Sequence, residues 1–323
     1  MKGSYEVIVK NNRIRYKFTI YRNITILRGD SATGKTTLIE MVENYCKDGV
    51  ESGVEINCQK KCVVLDRSKW ERDLEEIHDS IIFIDEGNRF VKQPSFASMV
   101  KNSDNYYVIA TRDSLFNLPY SITEIYGIKN VSGNRYQETK RIYSELYPLY
   151  NKDILEGKPD KIIIEDSNSA YQFFKEVCKK EGIKCESAKG KSNIYDCIQK
   201  TDEQKILVIA DGAAFGPEME RNMSLKRIKK TVFFLPESFE WLILKSGLIK
   251  KKELKDILEN PSEFIESERY FSWEVFFTKL LIEETKDTQL AYKKKDLNQV
   301  YLTAKNRKTL VDTVNKIAGD VVV

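Results

Sequence analysis

Residues 28–37 read RGDSATGKTT. Gly29, four further residues, then Gly34, Lys35 and Thr36 satisfy the spacing GxxxxGK[ST]. Each position suits a phosphate chain. The glycines let the backbone turn its N–H groups inward, Lys35 brings a positive charge to the β- and γ-phosphates, and the Thr36 hydroxyl can face Mg²⁺. The expected nucleotide contacts are therefore Gly29, Asp30, Ser31, Ala32, Thr33, Gly34, Lys35, Thr36 and Thr37. A second group, IIFIDE at 81–86, ends an apolar run with two acids. Asp85 would stand near the same Mg²⁺, and Glu86 would orient or deprotonate an attacking water. A third, VIATRD at 108–113, ends a strand-like run on the polar pair Thr111 and Arg112, with Thr111 as an expected nucleotide contact.

These residues need a frame. Alternation in YEVIVKNNRIRYKFTIYRNITIL predicts two strands joined by a turn at Asn11–Asn12, then a third strand that leads into the glycine loop. Apolar positions 38, 39, 41, 42 and 45 recur at helical spacing directly after it. Further strands are expected at 62–66, 81–85 and 106–110, with helices near 68–78 and 94–102 between them. Strand-like sequence returns at 121–143, with SGN as a turn. Strands alternating with helices imply a mostly parallel sheet covered on both faces. The helix that opens at residue 36 would add its N-terminal partial charge to the loop.

A polar stretch with Gly and Pro, 150–161, marks a domain boundary. A second alternating series follows: KIIIE, a helix over 168–181, IKCES, a helix near 193–200, KILVIAD, a helix near 217–228, and TVFFLP. Glu165 and Asp211 each end a strand, and the polar glycine turn AKGKSN lies between them at 188–193. Acids at the carboxyl ends of adjacent parallel strands lie where α/β sites form. Such hard oxygen ligands suit Mg²⁺ and phosphodiester chemistry. After about 237 the chain reads as helical, with an amphipathic stretch at WEVFFTKLLIEE. Its aromatic residues Phe264, Tyr270, Phe271, Trp273, Phe276 and Phe277 are expected in a core or a dimer contact rather than stacked on bases.

Bulk properties narrow the classes. The 323 residues suffice for two domains, with 41% hydrophobic and 32% charged residues. No run approaches the roughly 18 apolar residues of a membrane span, and MKGSYEVIVK lacks a signal-peptide core. A cytoplasmic protein without membrane association is expected. Six cysteines should then be reduced thiols, and Cys58 with Cys62 makes at most half a zinc site, since His78 is the single histidine. The net charge of +4 is spread evenly between 1–150 and the rest, unlike a strongly basic nucleic-acid binder. KKKD at 293–296 and KNRK at 305–308 are local basic runs that read as solvated helix face.

Together, the loop at 29–36 and the acids at 85–86 resemble the Walker A and Walker B elements of P-loop NTPases over residues 1–145. The antiparallel strands before the loop are similar to those of ABC-type and related ATPases. No LSGGQ-like signature is visible, the spacing between the two elements leaves no room for a long coiled-coil arm, and no arginine-rich lid suggests a kinase. ATP is the default nucleotide because no NKxD motif appears. Residues 158–240 resemble the Toprim domain of topoisomerases, primases and overcoming-lysogenization-defect (OLD) nucleases. That family places a glutamate after its first strand and Asp-x-Asp after a later one. Glu165 and Asp211 match, which implies that they hold Mg²⁺. Position 213 departs: it is Ala213. Glu218 or Glu220 could replace the missing ligand, and LPESFEWLIL at 235–244 is similar to an acidic segment of Toprim-like defence proteins, through Glu237 or Glu240.

The expectation is an α/β chain with a P-loop ATPase domain at 1–150, a smaller Toprim-like domain at 158–240 and a helical extension at 241–323. Lys35, Thr36, Asp85 and Glu86 would hydrolyse ATP with Mg²⁺. Nucleotide state would gate a nucleic-acid-cleaving site on Glu165 and Asp211, with Glu218 as a further metal ligand, as in compact ATPase–Toprim proteins of phage defence and mobile elements. DNA or RNA and a second copy or partner protein would be its partners. The rival expectation makes the second domain a degenerate sensor or partner-binding switch, and Ala213 favours it.

Overall fold

The computed structural model describes residues 1–30, 33–65, 68–131, 142–151, 155 and 157–319. The chain is α/β and divides into two compact units. One comprises Met1–Tyr150 with Asn260–Phe271, the other Asn151–Glu259 with Ser272–Val323.

The first unit is built on β1 (Tyr5–Lys10), β2 (Ile14–Ile20), β3 (Ile24–Leu27), α1 (Lys35–Asp48), β4 (Glu55–Asn57), β5 (Lys61–Val64), α2 (Trp70–Glu76), β6 (Ser80–Ile84), α3 (Pro94–Lys101), β7 (Tyr106–Ala110), β8 (Ile125–Asn130) and β9 (Ile142–Pro148). Its nine strands form one sheet in the order β4-β1-β2-β9-β8-β3-β7-β6-β5. The sheet is mixed. β3, β7, β6 and β5 run parallel, while β1 pairs antiparallel with β2 and β4, and β8 with β9. The turn at Asn11–Asn12 is present: the Asn11 side-chain oxygen accepts from the Arg13 and Ile14 N–H groups, both at 2.8 Å. The SGN turn lies outside the described residues.

Alternation explains why the central parallel strands β3, β6 and β7 are buried on both faces. Ile81, Phe83, Tyr106 and Val108 enter a core with Leu38 and Val42 of α1. Their neighbours Ile82, Ile84, Tyr107 and Ile109 enter a second core with Trp70, Phe90 and Phe96. Successive strand residues point to opposite faces, so a continuous apolar run supplies both cores. Each such side chain contributes roughly 1.5–3 kcal/mol by leaving water.

The second unit carries β10 (Lys161–Ile164), α4 (Ser169–Glu181), β11 (Lys184–Ser187), α5 (Ile194–Lys200), β12 (Lys205–Ile209), α6 (Met219–Met223), β13 (Lys230–Phe234), α7 (Phe239–Lys245), α8 (Lys252–Glu259), α9 (Trp273–Thr285) and α10 (Ala304–Ala318). Its four strands are all parallel, in the order β11-β10-β12-β13. β10 and β12 are therefore adjacent, which sets the residues after them side by side.

The chain after 240 is not one separate helical extension. Residues 260–271 return to the first unit, where Gly3 N–H donates to the Ser262 carbonyl, Ser267 N–H to that of Met1, and the Asn23 amide to that of Phe271. The rest packs within the second unit. α9 is also less amphipathic than expected: Trp273, Phe277 and Leu281 are buried, while Val275 and Ile282 stay about 40% exposed on another side. Trp273 and Phe277 are core residues, whereas Phe264 is exposed. All six cysteines are free thiols. No helix among the described residues is long and apolar enough to cross a membrane.

Candidate functional site

The glycine loop joins β3 to α1, and its conformation depends on glycine at Gly34. Gly34 has φ of 93°, in the left-handed region that side chains resist. A β-carbon there would also lie 2.8 Å from the hydroxyl of Tyr16, which donates to the Gly34 carbonyl at 2.9 Å. Tyr16 is buried in β2, and burial pushes its phenol up to about 12, so it stays a neutral donor. Lys35 curls over the loop: its ammonium donates to the carbonyls of Gly29 (2.7 Å) and Asp30 (2.9 Å) and to the hydroxyl of Thr33 (3.1 Å). α1 begins at Lys35 with no acid in its first turn, leaving its positive end uncompensated by charge. Ser31 and Ala32 lie outside the described residues.

Asp85 follows β6, two strands from the loop, and the Thr36 hydroxyl donates to its Oδ1 at 3.4 Å. A hydroxyl and a carboxylate so placed are the hard oxygen pair that Mg²⁺ takes beside phosphate oxygens, so the donor set fits that ion. A cavity of about 240 Å³ is lined by 33–37 together with Glu86 and Arg112. Glu86 Oε1 lies 2.5 Å from Arg112 Nε. Thr111 is not among the lining residues. It is buried, and its hydroxyl is used inside its own turn, accepting from the Asp113 N–H at 3.0 Å. The residue that reaches the pocket from this strand end is Arg112, which sequence reasoning named only beside Thr111.

The second site is assembled at the carboxyl ends of β10 and β12. The Glu165 N–H donates to the Ile209 carbonyl, and its carboxylate Oε2 accepts from the Asp211 N–H at 2.9 Å. Glu165 and Asp211 are thus brought together. Gly212 follows because the chain passes tightly under 235–237: a β-carbon there would lie 2.3 Å from the Leu235 carbonyl oxygen. Ala213 is buried in the same passage.

The other acids come from farther along the chain. Glu240 of α7 is 1% exposed, and its Oε1 accepts from the Tyr292 hydroxyl at 2.8 Å. Glu274 of α9 pairs with Lys294 at 2.5 Å, and the same ammonium is 3.9 Å from Glu240. Burial, then the charges of Glu274, Glu165 and Glu240, raise the Asp211 carboxyl well above its ordinary value. Glu165 is pushed up to about 7, chiefly by burial. Burial alone would lower Lys294, but Glu240, Glu274 and Asp211 carry it above the usual lysine value. Burial raises the Glu218 carboxyl while Lys191 and Arg221 act to lower it, and Lys191 acts on Glu165 as well. Glu220 is exposed. Glu240, from the separate acidic segment 235–244 and not one of the two suggested replacements for position 213, acts on Asp211.

Among the described residues, no group of three or more His, Cys, Asp or Glu stands close enough to hold a metal ion. One oxygen of Glu165 is taken by a backbone N–H, and a lysine contacts two of the acids. As arranged, the acidic centre does not fit Mg²⁺. Glu274 and Lys294 carried no motif in the sequence, since they lie 63 and 83 residues beyond Asp211. No family model, no curated protein and no solved structure matches this chain.

Proposed function

We propose that the first unit binds and hydrolyses ATP. The observation that carries this reading is the Thr36 hydroxyl at 3.4 Å from Asp85, at the edge of a cavity that Lys35 and Glu86 also line. Thr36 and Asp85 would hold Mg²⁺, which supplies neutralisation of phosphate charge when bound with nucleotide. Lys35 would exchange its loop carbonyls for phosphate oxygens, gaining charge-assisted hydrogen bonds. Glu86 would accept a proton from, or orient, the attacking water. The test is phosphate release from ATP with Mg²⁺. Turnover that Lys35→Ala and Glu86→Gln both remove supports the reading, and turnover that survives Lys35→Ala contradicts it.

The acidic centre of the second unit is proposed as the output that nucleotide state governs, with DNA or RNA as its partner and a second copy of the chain completing the assembly. Two chemistries compete there. Glu165 and Asp211, ending adjacent parallel strands, favour cleavage of nucleic acid, as a Toprim-like defence nuclease would do, although the centre as arranged does not fit the Mg²⁺ that such cleavage takes. Ala213 and the lysine among the carboxylates favour a binding switch without cleavage. Plasmid, single-stranded DNA and tRNA incubated with Mg²⁺ or Mn²⁺, with and without ATP, separate them. Cutting lost in Glu165→Gln and Asp211→Asn supports the first, and intact substrates beside normal ATP turnover support the second.

A further inference from the structure

Glu274 in α9 and Glu240 in α7 flank one ammonium, that of Lys294, at 2.5 and 3.9 Å. Their charges act on Asp211 after β12, whose N–H is held by Glu165 after β10, and Glu240 and Lys294 act on the neighbouring Asp166 as well. Like charges held together in a half-buried place call for a counter-charge or protons. The structure supplies a counter-charge from within the chain. Segment 292–297 crosses the start of α4 and is fastened there at several points. The Ser169 N–H donates to the Lys294 carbonyl at 3.0 Å, and the Gln172 amide to that of Lys295 at 3.0 Å. The Leu297 N–H donates to Gln172 Oε1 at 2.9 Å. The Tyr292 hydroxyl bridges Ser169 and Glu240. These bonds fix the backbone on both sides of Lys294, so its ammonium is delivered to Glu274 and Glu240 by a built support.

We propose that Lys294 is the resident cation of the acidic centre and that it closes the centre to divalent metal ions. The ammonium engages Oε1 of Glu274, and a divalent ion brought to the same acids would meet its positive charge at close range. Ala213 fits this arrangement: with one acid fewer, a single positive charge on a fixed stem goes further towards balancing the site. Any metal-dependent chemistry at this centre would first require segment 292–297 to release Lys294. This deepens the reading of the centre as an output site. Its measurement is metal binding, which is independent of ATP turnover and of cleavage.

The experiment is Mn²⁺ binding to the full chain without nucleotide, followed by the electron paramagnetic resonance of free Mn²⁺. The wild type and Lys294→Arg should show no saturable site that depends on Glu165 or Asp211. Lys294→Met, which keeps length and removes charge, should gain one, tighter by on the order of tenfold to a hundredfold. Adding Glu165→Gln should abolish that gain. A wild-type site lost in Glu165→Gln or Asp211→Asn overturns the proposal, and so does a folded Lys294→Met protein that binds no better. Should Lys294→Met fail to fold, the wild type and Lys294→Arg still decide, because a carboxylate-dependent site in either contradicts it. Absence of ATP turnover in the wild type would overturn the hydrolase reading alone.

Discussion

The two candidate sites are built in opposite ways. Among the described residues, the nucleotide pocket draws five of its seven lining residues from one stretch, 33–37, and adds Glu86 and Arg112 from strand ends of the same sheet. The acidic centre takes its charged groups from positions 165, 166, 211, 240, 274 and 294, so that no local pattern contains it. One site is a property of a loop, and the other a property of how distant helices pack on a four-stranded sheet. A loop site should fail through chemistry when its residues change. A packed site should fail through stability.

That contrast can be broken or sharpened by experiment. The largest effect expected is on the packed site. Gly212→Ala sets a β-carbon 2.3 Å from a backbone oxygen that cannot swing away, and should cost about 4 kcal/mol in urea unfolding. Lys35→Ala removes a buried ammonium with three hydrogen bonds inside the loop, so it should cost less than the Gly212 change, about 1–2 kcal/mol, while ATP turnover falls about a hundredfold or more.

Glu165 gives the next effect, through pH. Its folded-state value of about 7 exceeds the ordinary 4.5, so the folded chain holds the proton more tightly than the unfolded one. The associated stability is complete below about pH 4.5 and is lost as pH rises through about 7. Over that window the wild type should lose up to about 3 kcal/mol relative to Glu165→Gln. Parallel pH profiles of the two proteins would contradict this.

Tyr292→Phe comes next. It removes the hydroxyl that donates to buried Glu240 and should cost about 2 kcal/mol in thermal or urea unfolding, without changing ATP turnover. The smallest effect is at the surface. Lys47 and Glu43 lie 2.7 Å apart on α1, but both are largely exposed, so Lys47→Ala should shift stability by less than about 0.5 kcal/mol.

Legibility in the sequence followed the same division. Strands β3, β6 and β7 were readable because unbroken apolar runs serve two cores at once, and the loop was readable because its spacing is local. Alternation also exposed β10 and β12, and with them Glu165 and Asp211. Lys294 was misread: KKKD has the composition of a solvated charge run, and only the fastening of 292–297 to α4 turns its middle lysine inward. Composition carries no sign of where a strap will dock. The return of 260–271 to the first unit was illegible for the same reason, since it rests on backbone hydrogen bonds to Met1 and Gly3 and on scattered polar side chains, Asn23, Glu263 and Ser267, that form no local pattern. Thr111 was a near miss of one residue: the strand end was right, but its hydroxyl closes a turn while Arg112 faces the pocket.

The most direct test of the hydrolase reading is phosphate release from ATP by the purified chain with Mg²⁺, compared among wild type, Lys35→Ala and Glu86→Gln. Turnover in the wild type that both substitutions abolish, with folding intact, is the predicted result. Turnover unaffected by Lys35→Ala, or a folded wild type that binds no nucleotide and releases no phosphate, would contradict it.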